Sequence, residues 1–310
     1  MLGGNKLKFK SPINWYGGKY YMAKDIINIF PQHNMYVEGF GGAGHVLFRK
    51  ERSNLEVYND LHNGLYLIFK FLRENNVDFI HRLSLTPYSR KEFEDSKSWM
   101  YERDDIEKAR KFYVRTMQSV ASNGGWCYAK SKSRRGMCQS VSRWLGNIEE
   151  NLSGAIERLK EVQIENLDII DLIKKYDKED TLFYLDPPYI TETRKQKKSY
   201  DHEMTDEQHT KLVDILLNVK GKVVLSGYDH PIYNRLLDEG WNKIALGDYS
   251  KRSQKSNNGE LDEGKEFVWI NYSKVCPICE QEIDFNNSIC YVCEEYGNTT
   301  EEELYSKISY

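Results

Sequence analysis

"NMYVEGFGGAGHVLFRKERSNLEVYND", residues 34–60, predicts a strand, a glycine-rich turn, a helix and a second strand in that order. The helix is expected over "HVLF", directly after the turn. Gly39, Gly41 and Gly44 have the spacing G-x-G-x-x-G, and glycine lets a backbone turn tightly and approach a ligand closely. The turn is therefore a dinucleotide site, a site for another adenosine ligand, or a purely structural turn.

The same alternation of strands and helices returns after residue 162. "VQIENLD" is followed by the helical segment "IIDLIKKY" and by "TLFYL", which is short, apolar and aromatic-rich, as buried strands are. Thr205 precedes the next helix with Gln208 in capping-box spacing, and further strands are expected in "GKVVLSGY", "WNKIAL" and "KEFVWINY". This order predicts an α/β fold with a mostly parallel sheet, which the polar and basic segment 75–150 interrupts.

Two acids follow predicted strands, at the sheet edge where open α/β sheets bind ligands. Asp186 comes directly after "TLFYL", on a turn that Pro187 and Pro188 make stiff because neither proline donates to a sheet ladder. Asp60 ends the strand that follows the glycine turn, 21 residues after Gly39, where an acid accepts ribose hydroxyls. Asp60 could instead be the N-cap of the helix in "LHNGLYLIF".

The composition is that of a soluble globular protein, with 310 residues, 40% apolar residues and a net charge of -3. No apolar stretch approaches the roughly 18 residues of a membrane span, and the start lacks the apolar segment of a secretory signal, so a cytoplasmic location is expected. Basic residues concentrate in 128–143, 193–200 and 250–256. These segments are either solvated loops or a face that neutralises nucleic-acid phosphates, and their number favours the latter.

Four motifs in a fixed order resemble those of the D12-class, Dam-like DNA adenine-N6 methyltransferases. They are "NWYGGK" at 14–19, "VEGFGGAGHVLF" at 37–48, "YND" at 58–60 and "DPPY" at 186–189, and the resemblance covers residues 12–272. It implies a Rossmann-like methyltransferase domain formed by residues 1–60 and 151–273. It also implies a mainly helical target-recognition domain inserted at 61–150, and it leaves residues 274–310 as a C-terminal extension.

The resemblance implies transfer of a methyl group from S-adenosylmethionine to a flipped adenine in a specific site of double-stranded DNA. Asp186 and the Pro187 carbonyl would accept the N–H groups of the adenine amine and expose its lone pair, while Tyr189 would stack on the base. The catalytic residues are then Asp186, Pro187, Pro188 and Tyr189. The alternatives are a cytosine-N4 or RNA amino methyltransferase and a non-catalytic nucleic-acid-binding homologue.

The resemblance also implies a cofactor site and a DNA-binding surface. The residues expected at the cofactor are Trp15, Lys19, Glu38, Phe40, Gly41, Gly44, Asp60, Asp168 and Asp186. Trp15 could instead be a core aromatic residue, and Asp168 a helix N-cap. The basic residues expected at DNA are Lys130, Lys132, Arg134, Arg135, Arg143 and Arg194. The sequence indicates neither the recognition site nor whether a restriction endonuclease is a partner.

Four cysteines near the end of the chain have the spacing of a zinc ribbon. Cys276, Cys279, Cys290 and Cys293 form two C-x-x-C pairs separated by ten residues. Tetrahedral Zn²⁺ needs four soft ligands, and paired knuckles of this kind supply them. We therefore expect a structural zinc ion, the alternative being reduced thiols in an unstructured tail.

Overall fold

The computed structural model describes residues 9–122, 124–133, 136–190, 203–246 and 266–273. Within these residues the strands are β1 Met35–Glu38, β2 Leu55–Asn59, β3 Val162–Glu165, β4 Thr181–Leu185, β5 Lys222–Tyr228, β6 Asn242–Ala245 and β7 Glu266–Ile270. They form one sheet in the order β3-β2-β1-β4-β5-β7-β6. Strands β1 to β5 pair with one another in parallel, and β7 runs antiparallel to both β5 and β6. The predicted α/β fold with a mostly parallel sheet is confirmed.

Helices lie between most of the consecutive strands that the structure describes. The α-helices are α1 Ala23–Ile29, α2 Asn63–Arg73, α3 Val77–Leu85, α4 Arg90–Ser96, α5 Asp105–Met117, α6 Gln139–Gly146, α7 Leu152–Leu159, α8 Ile169–Tyr176, α9 Asp206–Leu216 and α10 Asn234–Asp238. A π-helical turn, Asn147–Asn151, leads into α7, and a 3₁₀ turn, Pro231–Tyr233, leads into α10. Among the described residues, none of the helices has the length and apolar character needed to cross a membrane.

The two faces of the sheet carry separate hydrophobic clusters, because neighbouring side chains of a strand point to opposite faces. Tyr36 and Tyr184 belong to the cluster that also contains side chains of α1 and α2. Val37 and Phe183 belong to the other cluster, with side chains of α8, α9 and α10. The sheet is therefore covered on both faces, as parallel sheets require, and ligands have access at its edge.

The predicted helix over "HVLF" is wrong. Residues 45–50 form successive turns, although the amides of Phe48 and Lys50 still donate to the carbonyls of Gly44 and Val46. The Arg49 amide instead donates to the Val46 carbonyl, three residues back, at 3.1 Å, and the Leu47 carbonyl accepts from Arg158 of α7. The run of i→i−4 hydrogen bonds is thus interrupted within these residues, although the Leu47 amide is satisfied by the Glu38 carboxylate at 2.8 Å.

Helices α2 to α6 lie within the segment 61–150, and α7 comes directly after that segment. Buried side chains of α2, α5 and α6, namely Phe69, Phe112 and Trp144, share one hydrophobic cluster with Tyr36 and Tyr58 of the sheet. The division into a methyltransferase domain and an inserted recognition domain therefore stays a prediction. Residues 274–310, including the four zinc-ribbon cysteines, lie outside the described residues.

A buried ion pair joins α7 to the sheet. Both guanidinium Nη atoms of Arg158 bond the Glu56 carboxylate of β2, one of them at 2.8 Å, and Lys50 Nζ lies 2.6 Å from Glu56 Oε1. The side chain of Arg158 is 1% exposed and also donates to the Leu47 carbonyl at 2.8 Å. Because unpaired buried charge is costly, this cluster fixes α7 against β2 and against the turns that follow β1.

Candidate active site

A cavity of about 560 Å³ opens at the carboxyl ends of β1, β2 and β4. The end of each of these strands supplies an acid to its wall, namely Glu38, Asp60 and Asp186. Parallel strands place their carboxyl ends at one edge, so three acids that are far apart in sequence meet in one place.

The glycine turn forms one wall of this cavity. The Gly41 amide donates to the Asn59 carbonyl at 2.8 Å and the Gly44 amide donates to the Gly41 carbonyl at 2.7 Å. Gly42 has φ of +51° and Gly44 has φ of +66°, a region that side chains with a Cβ rarely adopt. Gly44 packs against the core ring Phe48 rather than lining the cavity, so its contribution is to the shape of the turn.

Asp60 is held in a fixed orientation by two backbone amides. Its Oδ2 accepts from the Gly42 amide and its Oδ1 accepts from the His62 amide, both at 2.8 Å. Asp60 is not the N-cap of the following helix, the alternative role considered for it, because the imidazole of His62 accepts from the Gly64 and Leu65 amides as the N-cap of α2. A carboxylate oxygen can accept more than one hydrogen bond, so this orientation suits Asp60 to a ligand with hydroxyl groups.

Glu38 is almost fully buried at the floor of the cavity. Its Oε2 accepts from the Tyr36 hydroxyl at 2.7 Å and from the Leu47 amide at 2.8 Å. Burial raises the pKa of Glu38 to about 8, against the lowering effect of those two hydrogen bonds and of Lys50. Glu38 is therefore largely protonated at neutral pH and offers the cavity a carboxylic acid rather than a full negative charge.

Asp186 lies in a buried cluster of charged groups. Lys19 Nζ is 3.0 Å from Asp186 Oδ1 and 3.1 Å from Glu266 Oε2 of β7. Burial raises the pKa of Asp186 to about 6, Lys19 acts to lower this pKa and Glu266 acts to raise it. One lysine thus bridges two carboxylates. The carboxyl group of Asp186 loses its proton as the pH rises through about 6.

Tyr189 belongs to the same cluster. Its hydroxyl donates to Glu266 Oε2 at 3.0 Å and accepts from Lys19, whose ammonium also lies 4.6 Å from the centre of the Tyr189 ring. The ring of Tyr228 meets the Tyr189 ring edge-on, with 4.6 Å between centroids. Tyr189 is therefore fixed at both its hydroxyl and its ring, beside the catalytic candidate Asp186.

Trp15 and Asp168 line the cavity as well as having structural roles. The Trp15 ring packs edge-on against His62 at 5.4 Å and lies against Gly42, so its function as a core aromatic residue and its position at the cavity coexist. Asp168 accepts from the Ile170 amide at 2.9 Å, which confirms that it is the N-cap of α8. Phe40 also lines the cavity.

The structure brings most of the predicted catalytic and cofactor residues to this one cavity. Those that line it are Trp15, Lys19, Glu38, Phe40, Gly41, Asp60, Asp168, Asp186, Pro187 and Pro188. Sequence reasoning missed Glu266, which reaches Lys19 from a strand about eighty residues after "DPPY". It also missed Asn59, whose amide donates to the Gly39 carbonyl at 2.9 Å and to the Leu167 carbonyl at 3.1 Å. Asn59 is the middle residue of the "YND" motif, so the motif itself could have indicated it.

Of the basic residues predicted to contact DNA, Lys130, Lys132 and Arg143 are exposed. Lys132 forms an isolated antiparallel bridge with Cys138. The other predicted DNA contacts, Arg134, Arg135 and Arg194, lie outside the described residues.

A model of the family described as D12 class N6 adenine-specific DNA methyltransferase matches residues 15–248, which include the glycine turn, Asp60, Asp168 and Asp186. A search of the curated proteins finds no match.

Proposed function

The chain belongs to the D12 class N6 adenine-specific DNA methyltransferase family, and we propose that the cavity at the ends of β1, β2 and β4 is its active site. The protein methylates the N6 atom of adenine in DNA, with S-adenosylmethionine as the methyl donor that the family implies. One observation carries the assignment of the site. Asp186, on its double-proline turn, lines the same cavity as the glycine turn and Asp60.

The residues of the cavity fit S-adenosylmethionine. Asp60 has its two oxygens oriented by backbone amides, so it can accept from the two ribose hydroxyls. The glycine turn allows close approach of the methionine part, and the apolar side chains of Leu167 and Ile169 line a region suited to the adenine. When bound, the cofactor supplies an electrophilic methyl group on a sulfonium.

Asp186 and the Pro187 carbonyl prepare the target amine for attack. The lone pair of an adenine amine is delocalised into the ring, and N–H acceptors held outside the ring plane draw the nitrogen toward sp³. Asp186 is nearly buried and paired with Lys19, so it is held in place before the base arrives. Tyr189, fixed by Lys19 and Glu266, provides an aromatic surface against which a flipped base can stack.

The reaction can be tested with purified protein, labelled S-adenosylmethionine and unmethylated duplex DNA. Digestion of the DNA to nucleosides should yield labelled N6-methyldeoxyadenosine, and sequencing the same DNA for modified positions would identify the recognition site. Label found only in N4-methyldeoxycytidine, or no transfer despite cofactor binding, would contradict the proposal.

The rate should fall at acidic pH because Asp186 must be ionised to accept the amine N–H. The pKa of Asp186 is raised to about 6, so its carboxylate is lost as the pH falls through that value. We expect kcat/KM to decrease about tenfold per pH unit below pH of about 6.

A matched variant tests whether Asp186 is responsible for that decrease. Glu266 acts to raise the pKa of Asp186, so Glu266→Gln should move the acid limb of the kcat/KM profile to lower pH. Thermal melting and cofactor binding at each pH would show that the protein stays folded. Superimposable acid limbs for the two proteins would contradict this assignment.

Lys130, Lys132 and Arg143, which are exposed, are proposed to contact DNA phosphates, on the strength of their charge and exposure. Arg134, Arg135 and Arg194 are proposed to contact DNA on the strength of their charge, and Arg134 and Arg135 could bind either phosphate or guanine. Cations that neutralise phosphates release counterions, so replacing such a residue should weaken DNA binding at every sequence and make binding less dependent on salt.

Cys276, Cys279, Cys290 and Cys293 are proposed to hold a structural zinc ion, on the strength of their spacing. Elemental analysis of the purified protein should find about one zinc ion per chain, and Cys276→Ser should remove most of it. Cys127→Ser, at an isolated cysteine, is the matched control and should retain the metal. A zinc-free protein prepared in the presence of zinc would contradict the proposal.

A further inference from the structure

His209 of α9 is completely buried and bridges two other elements through its imidazole. Its Nε2 lies 3.1 Å from the carbonyl oxygen of Pro188, within the "DPPY" turn. Its Nδ1 lies 3.0 Å from the hydroxyl of Tyr233, in the 3₁₀ turn that precedes α10. The side chain therefore links the turn that carries Asp186 to the helical layer on one face of the sheet.

The partners of the ring determine its tautomer. A carbonyl oxygen can only accept, so the hydrogen of the His209–Pro188 bond must be on Nε2. In the neutral ring Nδ1 then carries a lone pair, and the Tyr233 hydroxyl donates to it. Tyr233 is held by its ring, which is buried and packs on Trp269 with 4.7 Å between centroids.

The "DPPY" turn needs such a connection because Pro187 and Pro188 have no backbone N–H. Only their carbonyl groups can be tied to the rest of the protein by backbone hydrogen bonds. His209 supplies a donor from a rigid position, since α9 begins with a complete Thr205–Gln208 capping box four residues earlier. The first turn of α9 also lines the cavity through Gln208.

We propose that His209 is a positioning residue for methyl transfer, which acts by donating from Nε2 to the Pro188 carbonyl and so fixes the turn that carries Asp186 and the Pro187 carbonyl. This inference rests on the proposed function of the cavity. His209 itself does not line the cavity, so it acts through the turn. Because the acceptors must be placed to within a fraction of an ångström, small movements of this turn reduce the chemical step more than they reduce binding.

Two amide substitutions separate the two hydrogen bonds of the ring. In His209→Gln the side-chain amide reaches the place of Nε2 and can still donate to Pro188. In His209→Asn the amide lies near the place of Nδ1, so it can pair with Tyr233 but cannot reach Pro188. We expect Asn to lower the single-turnover rate at saturating DNA and cofactor by about 10- to 100-fold, and Gln to restore most of that loss.

Binding and stability measurements distinguish positioning from a general structural effect. The dissociation constant for S-adenosylmethionine should be the same in both variants, and their melting temperatures should be similar. Tyr233→Phe keeps the packed ring and removes the group that fixes the tautomer, so it should lower the rate by a smaller factor without unfolding the protein. Equal rates in the Gln and Asn variants, or a Tyr233→Phe rate equal to wild type, would overturn the inference.

Failure of the proposed function would be recognised separately, since the wild-type protein would then form no N6-methyldeoxyadenosine.

Discussion

Asp186→Ala is expected to lower methyl transfer by at least about 1000-fold, while cofactor binding is partly retained. The substitution removes the charged acceptor that holds an N–H of the adenine amine where positive charge develops on nitrogen. It leaves Asp60 and the glycine turn, which are held by their own hydrogen bonds, to bind the cofactor. Lys19 keeps Glu266 as an ion-pair partner, so the buried ammonium is not left uncompensated. The measurements are the single-turnover rate and the cofactor dissociation constant.

Asp171→Ala is the matched control for that experiment. Asp171 is an exposed acid in the first turn of α8, outside the cavity. Surface substitutions of this kind change stability by no more than about 0.5 kcal/mol, so transfer should stay near the wild-type rate. Undiminished transfer by the Asp186→Ala protein would exclude Asp186 as the acceptor of the amine.

Local signals in the sequence predicted much of the fold. The strand "TLFYL" matches β4 at both ends, because a short, mostly apolar run follows two acids and is ended by prolines, which cannot continue a sheet. The capping box of Thr205 and Gln208 was likewise predictable from spacing alone and is complete in the structure. In both cases the determining interactions lie within a few residues of each other.

Interactions between distant segments could not be predicted in this way. The helix expected after the glycine turn fails because the Arg49 amide bonds the Val46 carbonyl and Arg158 of α7 takes the Leu47 carbonyl, a contact between segments over a hundred residues apart. Glu266 meets Lys19 only because β7 inserts antiparallel between β5 and β6. His62, rather than Asp60, caps α2, because Asp60 is bound by Gly42 and by the His62 amide.

Gly41→Ala is expected to give the largest loss of both stability and cofactor affinity among substitutions in the glycine turn. A Cβ at this position would lie 2.1 Å from Cε2 of Tyr58, far inside contact distance. The Tyr58 ring cannot move away easily, since it is stacked on Phe69 with 4.0 Å between centroids and its hydroxyl donates to the Gly42 carbonyl at 2.7 Å. Overpacking of this kind costs about 3 kcal/mol in unfolding free energy.

The displaced turn should also reduce cofactor affinity, by at least about tenfold, or about 1.4 kcal/mol of binding free energy. Gly154→Ala is the matched control, because a Cβ there, within α7, would meet only Cδ1 of Phe9 at an ordinary 3.8 Å. Replacing glycine by alanine inside a helix should stabilise the protein by about 0.5–1 kcal/mol and leave cofactor binding unchanged. Urea unfolding and calorimetric titration with S-adenosylmethionine would measure both effects. If Gly41→Ala bound the cofactor as tightly as Gly154→Ala, the close approach of Gly41 to Tyr58 would not be what shapes the cofactor site.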